Sequence, residues 1–256
     1  MVEASQPSGD GLTRRVTRRL RPWLARLHKP EDVWERGLDG EIDHWRRYLT
    51  TQGDEWPDEY RARVDSHTPL ADELTALIDV PEGAAVRILD VGAGPLTILG
   101  KVWTGHDVEV TAVDALAARY DELLAESAIE PPVRTRKCDT EHLDELFAPD
   151  TFDLVHARNT VDHGYDPERA LRQMADVTAP GGAIVLEHHR DVAALEAYEG
   201  LHQWNLRIDG GTYVAWRPGE RRDVVAALGS RFELERAEAR ADGWELVVIR
   251  KHPSHP

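Results

Sequence analysis

Three stretches gather residue types that take protons or hold ligands. In Thr160-Val-Asp162-His163-Gly-Tyr-Asp166-Pro167 a carboxylate stands beside an imidazole on what reads as a loop. Glu187-His188-His189-Arg190 and Tyr198-Glu-Gly-Leu-His202-Gln-Trp204-Asn205 follow it. Imidazole titrates near neutral pH, and a well-placed base is worth about 10²–10⁴ in rate. Asp162 can orient His163, whereas Asp166 ahead of Pro167 reads as a helix cap. Asp162, His163, Glu187, His188 and His202 could also ligate a divalent ion. No local spacing such as His-x-x-x-His supports that, and no metal is expected.

A fourth stretch, Val86-Arg-Ile-Leu-Asp90-Val-Gly92-Ala93-Gly94-Pro-Leu-Thr97, is an apolar run that breaks at small residues. A strand ending in glycines lets the backbone approach a ligand at the carboxyl end of a parallel sheet. A dinucleotide reading is weakened because Gly92-x-Gly94-x-x-Thr97 lacks the last glycine of that fingerprint.

Regular alternation of strands and helices must position these residues. Strands are predicted at 86–91, 108–113, 133–137, 152–157 and 183–188. Helices are predicted at 96–103, 115–127, 141–147 and 167–178. That rhythm specifies a parallel sheet covered on both faces. A helical stretch over 193–205, a short run at Tyr213–Trp216 and a helix near 219–228 should follow. Strands at 231–239 and 244–250 then close on the turn Asp242-Gly243. Ahead of the sheet, Trp34, Leu38, Ile42, Trp45 and Leu49 recur at helical spacing, with further helices at 57–64 and 70–78. The aromatic stripe reads as core.

With Asp90 and Gly92-Ala93-Gly94, the chain resembles the class I S-adenosylmethionine-dependent methyltransferases. Asp114 closes the second strand, Cys138-Asp139-Thr140 follows the third, and Ala157-Arg-Asn159 ends the fourth. Ala179-Pro-Gly-Gly182 precedes the fifth. The resemblance covers residues 85–250. It implies a Rossmann-like, doubly wound α/β fold with a seven-stranded, mostly parallel sheet, a C-terminal antiparallel hairpin and an N-terminal helical cap. It implies S-adenosylmethionine as cofactor, with Asp114 at the ribose and Asp139 against the adenine amino group. Asp90, Gly92, Ala93, Gly94, Ala115, Cys138, Thr140 and Asn159 complete that set, and Arg63 could meet the donor's carboxylate. The acceptor should lie past strands four and five, with His163 or His188 as base beside Asp162. His189, Tyr198, His202, Trp204 and Asn205 would shape its pocket. The Asp-His-x-x-Asp-Pro and Gly-Leu-His-Gln-Trp-Asn strings resemble those of bacterial enzymes found among polysaccharide and natural-product genes.

The expected activity is O-methylation of a sugar, glycan or other hydroxyl-bearing small molecule. N-methylation, and a non-catalytic donor-binding scaffold or sensor, are the alternatives. The domain reading is a basic arm (1–30), a helical cap (31–80) and a donor-binding domain (81–251) with a lid at 190–220. The arm carries seven Lys/Arg against two Asp/Glu on a helical apolar pattern. It reads as packing on its own acidic domain, with a homodimer possible, or as meeting an anionic surface. At 256 residues the chain can bury a full core. A net charge of −16 argues against a nucleic-acid partner. One cysteine permits no intramolecular disulfide and fits a reducing cytosol. No apolar run is long enough to insert stably in a membrane.

Overall fold

The computed structural model describes residues 30–253, and the side chains of residues 37–253. The predicted arm lies outside them, as does the side chain of Trp34. Helices α1 (Pro30–Thr50), α2 (Pro57–Val64) and α3 (Asp72–Thr75) come first. Then follow β1 (Ala85–Val91), β2 (Asp107–Asp114), α4 (Ala117–Glu126), β3 (Arg136–Lys137) and a 3₁₀ turn at Thr140–Glu145. Next are β4 (Phe152–Arg158), α5 (Pro167–Val177), β5 (Thr178–His189) and α6 (Val192–Leu195). The chain ends with β6 (Asn205–Asp209), β7 (Thr212–Arg217), β8 (Glu220–Asp223), β9 (Phe232–Ala239) and β10 (Trp244–Lys251).

The main sheet has seven strands in the order β3-β2-β1-β4-β5-β10-β9. β1, β2, β3, β4 and β5 run parallel, and β10 pairs antiparallel with both β5 and β9. Val86, Ile88, Leu89 and Val91 of β1 have no exposed surface, as a central strand covered on both faces requires. Fully burying each such side chain contributes about 1.5–3 kcal/mol. α5 shows why its sequence is a helix. Asp166 accepts a hydrogen bond from Arg169 N at 3.2 Å, and Pro167 fills the first turn. Ala170, Leu171, Met174 and Ala175 form one buried face against the sheet.

On the other face, Leu70, Leu74 and Leu99 cover Ile88, Val185 and Val248. A third cluster joins Ile42, Tyr48 and Leu49 of α1 to Tyr120, Leu123 and Leu124 of α4. The strand order reverses between β1 and β4. Their carboxyl ends therefore open a crevice at the switch point, where ligands of open α/β sheets bind.

Five expectations from sequence need correction. Residues 96–103 form no helix. Thr97 Oγ1 bonds Asp90 Oδ2 at 2.5 Å and accepts from Leu99 N at 3.1 Å, so the side chain competes with helical bonding. The stretch is then tied to residues 68–70 through Lys101 N→Thr68 O and Leu70 N→Val102 O. A Cβ at Gly100 would collide with the Pro69 carbonyl. Next, the helix over 193–205 shrinks to α6. The helix near 219–228 gives way to β8 and a 3₁₀ turn at Ala226–Leu228. β6, β7 and β8 make a separate antiparallel sheet. Its first hairpin turns at Gly210 and Gly211, with φ of 62° and 84°, where two left-handed residues are needed. The predicted helix at 141–147 is a 3₁₀ turn broken at His142, and the one at 70–78 is the single turn α3.

Candidate active site

The tip of β1 is braced before it meets any ligand. Asp90 and His156 are register partners across β1 and β4, and Asp90 Oδ1 lies 2.8 Å from His156 Nδ1. Thr97 occupies the other oxygen. Asp90 is buried, so this carboxylate holds the motif's shape, with both oxygens engaged. Gly92 and Gly94 have φ of 67° and 65°. A Cβ on Gly92 would strike Thr160, and one on Gly94 would strike the indole of Trp45. Thr135 Oγ1 further pins the loop by bonding Gly94 O at 2.7 Å.

From this loop a cleft runs past Asp114, Ala115, Asp139 and Thr140 to Asn159 and His163. Leu38, Trp45, Leu116, Tyr120 and Leu201 give it apolar walls. Asp114 Oδ2 accepts from Gly94 N at 3.1 Å, and Oδ1 from Leu116 N at 2.9 Å. Burial nevertheless pushes its carboxyl up to about 7, the two backbone donors offsetting only part of the desolvation.

The sign of that shift makes a prediction. Between about pH 4 and pH 7 the folded chain keeps a proton on Asp114 that the unfolded chain has lost. Stability contributed by this group therefore falls across that window and stays low above it. Asp114→Asn should raise Tm at pH 8 by a few degrees, at about 2–4 °C per kcal/mol for a domain of this size. At pH 4 it should change Tm little. Thermal melts of both proteins at the two pH values check this, and an equal shift at both would contradict it.

A second opening adjoins the first, lined by Ala93, Arg63, Tyr48, Arg158 and Trp244. Arg63 is buried beneath Trp45 and Tyr48, with ring centroids 5.6 and 5.9 Å from its guanidinium carbon. It bonds Glu59 at 2.9 Å and the Leu96 carbonyl. Cys138 does not line the clefts. Its Sγ faces the Asp139 and His142 carbonyls, and burial pushes the thiol up to about 11.

Beyond His163 a wider cleft holds Glu41, His44, Trp56, His189, Glu196, His202 and Trp244. Here four of the sequence candidates converge. Asp162 is fully buried, and His188 Nε2 lies 2.7 Å from its Oδ1, while His202 Nδ1 lies 2.6 Å from Oδ2. His163 Nε2 is 3.2 Å from His202 Nδ1 and 3.7 Å from Asp162 Oδ2. Burial alone would raise the Asp162 carboxyl, but His163, His188 and His202 outweigh it and hold it well below the usual range.

The three imidazoles differ in the direction of their shifts. His188 Nδ1 also faces the His189 carbonyl at 2.7 Å, so both its nitrogens lie beside oxygen atoms inside the fold. Burial lowers its pKa, yet Asp162 outweighs that and raises it. With both nitrogens turned to oxygens inside the fold, His188 is placed to orient Asp162. His202 is likewise raised: burial opposes, and its bond to Asp162 prevails. His163 is lowered by burial despite Asp162, and its Nε2 faces His202 Nδ1.

Three predicted pocket residues lie elsewhere. Trp204 has no exposed surface and is covered by Arg217 and Arg222, whose guanidinium carbons lie 4.1 and 5.0 Å from its ring centroid. Asn205 is also buried, bonding Ala194 N, the Tyr198 hydroxyl and the Trp216 carbonyl. Both support α6 and β6 from behind, and Tyr198 belongs to that support. His189 does reach the outer cleft, its ring edge-on to Trp244. Sequence reasoning missed Glu41, His44 and Trp45, which α1 delivers to the clefts. Glu41 and Trp45 are joined by a 2.8 Å hydrogen bond. Polar residues set between the apolar positions of α1 were the available signal.

Residues 89–186 match the family model described as "Methyltransferase domain". A phosphatidylethanolamine N-methyltransferase of Cereibacter sphaeroides is 37% identical over 118 residues, 44% of this chain and 56% of the relative. The 27-O-demethylrifamycin SV methyltransferase of Amycolatopsis mediterranei is 32% identical over 134 residues, 51% of this chain and 48% of the relative. The chain thus spans about half the length of the curated relatives it matches. A crystal structure of an S-adenosylmethionine-dependent methyltransferase from Mesorhizobium loti aligns at 19% identity and a TM-score of 0.42. That alignment covers 70% of this chain and 96% of that one, a likeness too slight to argue from. The strand order, the glycine turn at the switch point and the family match lead to one conclusion: residues 89–186 carry a methyltransferase domain of the class I, S-adenosylmethionine-dependent kind.

Proposed function

We propose that the chain transfers a methyl group from S-adenosylmethionine to a hydroxyl of a small molecule of the sugar, glycan or natural-product kind. The observation that carries this reading is the position of His163, which borders both the donor cleft and the outer cleft. In this account the Asp114 carboxylate accepts the ribose hydroxyls and Asp139 and Thr140 border the adenine. The methionine end points toward Gly92, Ala93 and Arg63. The sulfonium methyl then faces His163 and Asn159.

The acceptor oxygen attacks the methyl carbon in line, the carbon–sulfur bond breaks, and its electron pair stays on sulfur as a neutral thioether. In the metal-free chain the hydroxyl proton passes to the His163 imidazole. Holding the reactants in line can supply roughly 7–11 kcal/mol of the barrier. The outer cleft is lined by Glu41, Glu196 and Glu199 and, among the described residues, by no Lys or Arg. A phosphorylated or carboxylated acceptor would be repelled there, so the acceptor is neutral or cationic, with Trp56 and Trp244 offering apolar faces.

The same carboxylates favour one second reading, an amine acceptor, which the C. sphaeroides relative's name also describes for that protein. Labelled donor offered with matched hydroxyl and amine acceptors separates the two. Label in a base-stable ether is expected. Transfer to amines alone would overturn the hydroxyl assignment.

A further inference from the structure

Asp162, His163 and His202 do more than surround one proton. Asp162 Oδ2, His202 Nδ1 and His163 Nε2 form a triangle with sides of 2.6, 3.2 and 3.7 Å. Its circumradius is about 1.9 Å, so a point just off its plane lies about 2.1 Å from all three atoms, the length of a zinc–nitrogen or zinc–oxygen bond. The two imidazole rings stand at 76° to one another, with centroids 4.4 Å apart, so their nitrogens approach from different directions. Among the described residues, the ion-pair partners of the buried Asp162 are imidazoles alone.

We infer that Asp162, His163 and His202 form a binding site for one divalent ion of the zinc type, open toward the acceptor cleft. Two nitrogens and one carboxylate oxygen suit zinc, cobalt or iron(II), and not calcium or magnesium, which take oxygen ligands. Three protein ligands with a free position are the arrangement of a catalytic site. The outer partners of such a site are also present. His188 holds Asp162 Oδ1 at 2.7 Å, and His202 Nε2 lies 3.8 Å from Glu196 Oε2. In the metal-free chain Asp162 Oδ2 and His202 Nδ1 share a hydrogen bond along one side of the triangle; the ion replaces it and leaves Nε2 to carry the ring's proton beside Glu196.

The consequence for chemistry rests on the methyl-transfer reading. An acceptor hydroxyl bound at the open position becomes more acidic and releases its proton to water, with His163 then serving as ligand. The methyl group still moves from sulfur to oxygen, and nothing is oxidised or reduced.

Cobalt(II) is the probe. The full chain is stripped with chelator and titrated with cobalt(II), following visible absorption and calorimetric heat, then with zinc(II) in competition. One equivalent should bind with the intense absorption of a low-coordinate site, and zinc(II) should displace it. His163→Gln and His202→Gln should each weaken binding at least about 10-fold, as should His188→Gln through Asp162, where loss of an outer partner costs about 10–100-fold. S-adenosylhomocysteine affinity, measured on each variant, should stay within a few-fold and reports that the fold is intact. Absence of saturable binding up to about 1 mM, or cobalt(II) held equally by the His163→Gln/His202→Gln double variant, overturns the site. Metal failing while S-adenosylhomocysteine binds rejects this inference alone; the reverse result rejects the donor reading and leaves the metal site standing.

Discussion

Asp114→Ala lowers affinity for S-adenosylmethionine by about 100-fold or more while the chain stays folded. The ribose diol has two donors, and a hydrogen bond to a charged group contributes about 1.5–3 kcal/mol. Losing both therefore costs at least two decades in Kd, at about 1.4 kcal/mol per decade. The effect is large because Asp114 is held in place before any ligand arrives, with each oxygen already on a backbone N–H. Since its carboxyl sits near 7, donor affinity should also fall as pH drops from 8 to 6, and Asp114→Asn should flatten that dependence. Calorimetric titrations of the three proteins with S-adenosylhomocysteine at pH 6 and pH 8 measure both effects. Unchanged affinity in Asp114→Ala would mean that the donor lies elsewhere.

His163→Ala lowers turnover by about 10²–10⁴ while donor affinity moves by a few-fold at most. A positioned base is worth that factor in rate, and His163 is the imidazole of the Asp162 cluster that borders both clefts and whose proton affinity burial lowers. Single-turnover methyl transfer, paired with donor titration, separates the chemical step from binding. Turnover retained to within a few-fold would remove His163 from the reaction. His188→Ala is also expected to slow transfer, though through the lost orientation of Asp162, so its folding must be checked alongside.

Much of this was legible in the sequence, for a physical reason. Central parallel strands are buried on both faces, so 86–91 and 152–157 read as apolar runs whatever surrounds them. Capped amphipathic α5 was equally plain. The stretch 96–103 was not, because its bonds go to residues 68–70 and to Asp90, which no local pattern reveals. β6 and β8 are short and rich in charge, so they failed the apolar test. At the site, Asp162, His163, His188 and His202 could each be named singly. That loops after β4 and before β6 meet at the end of β5 is a fact of tertiary structure. Trp45 is the sharpest case. Helical spacing gives its face correctly as apolar, yet its indole closes on Gly94 at the donor turn, where only glycine leaves room.

The central claim is that the crevice between β1 and β4 binds S-adenosylmethionine through Asp114. Titrating the full chain with S-adenosylmethionine by calorimetry, beside Asp114→Ala, tests it most directly. The account predicts saturable one-to-one binding that the substitution weakens about 100-fold or more. No heat of binding up to about 1 mM donor from a folded chain, or equal affinity in both proteins, would contradict it.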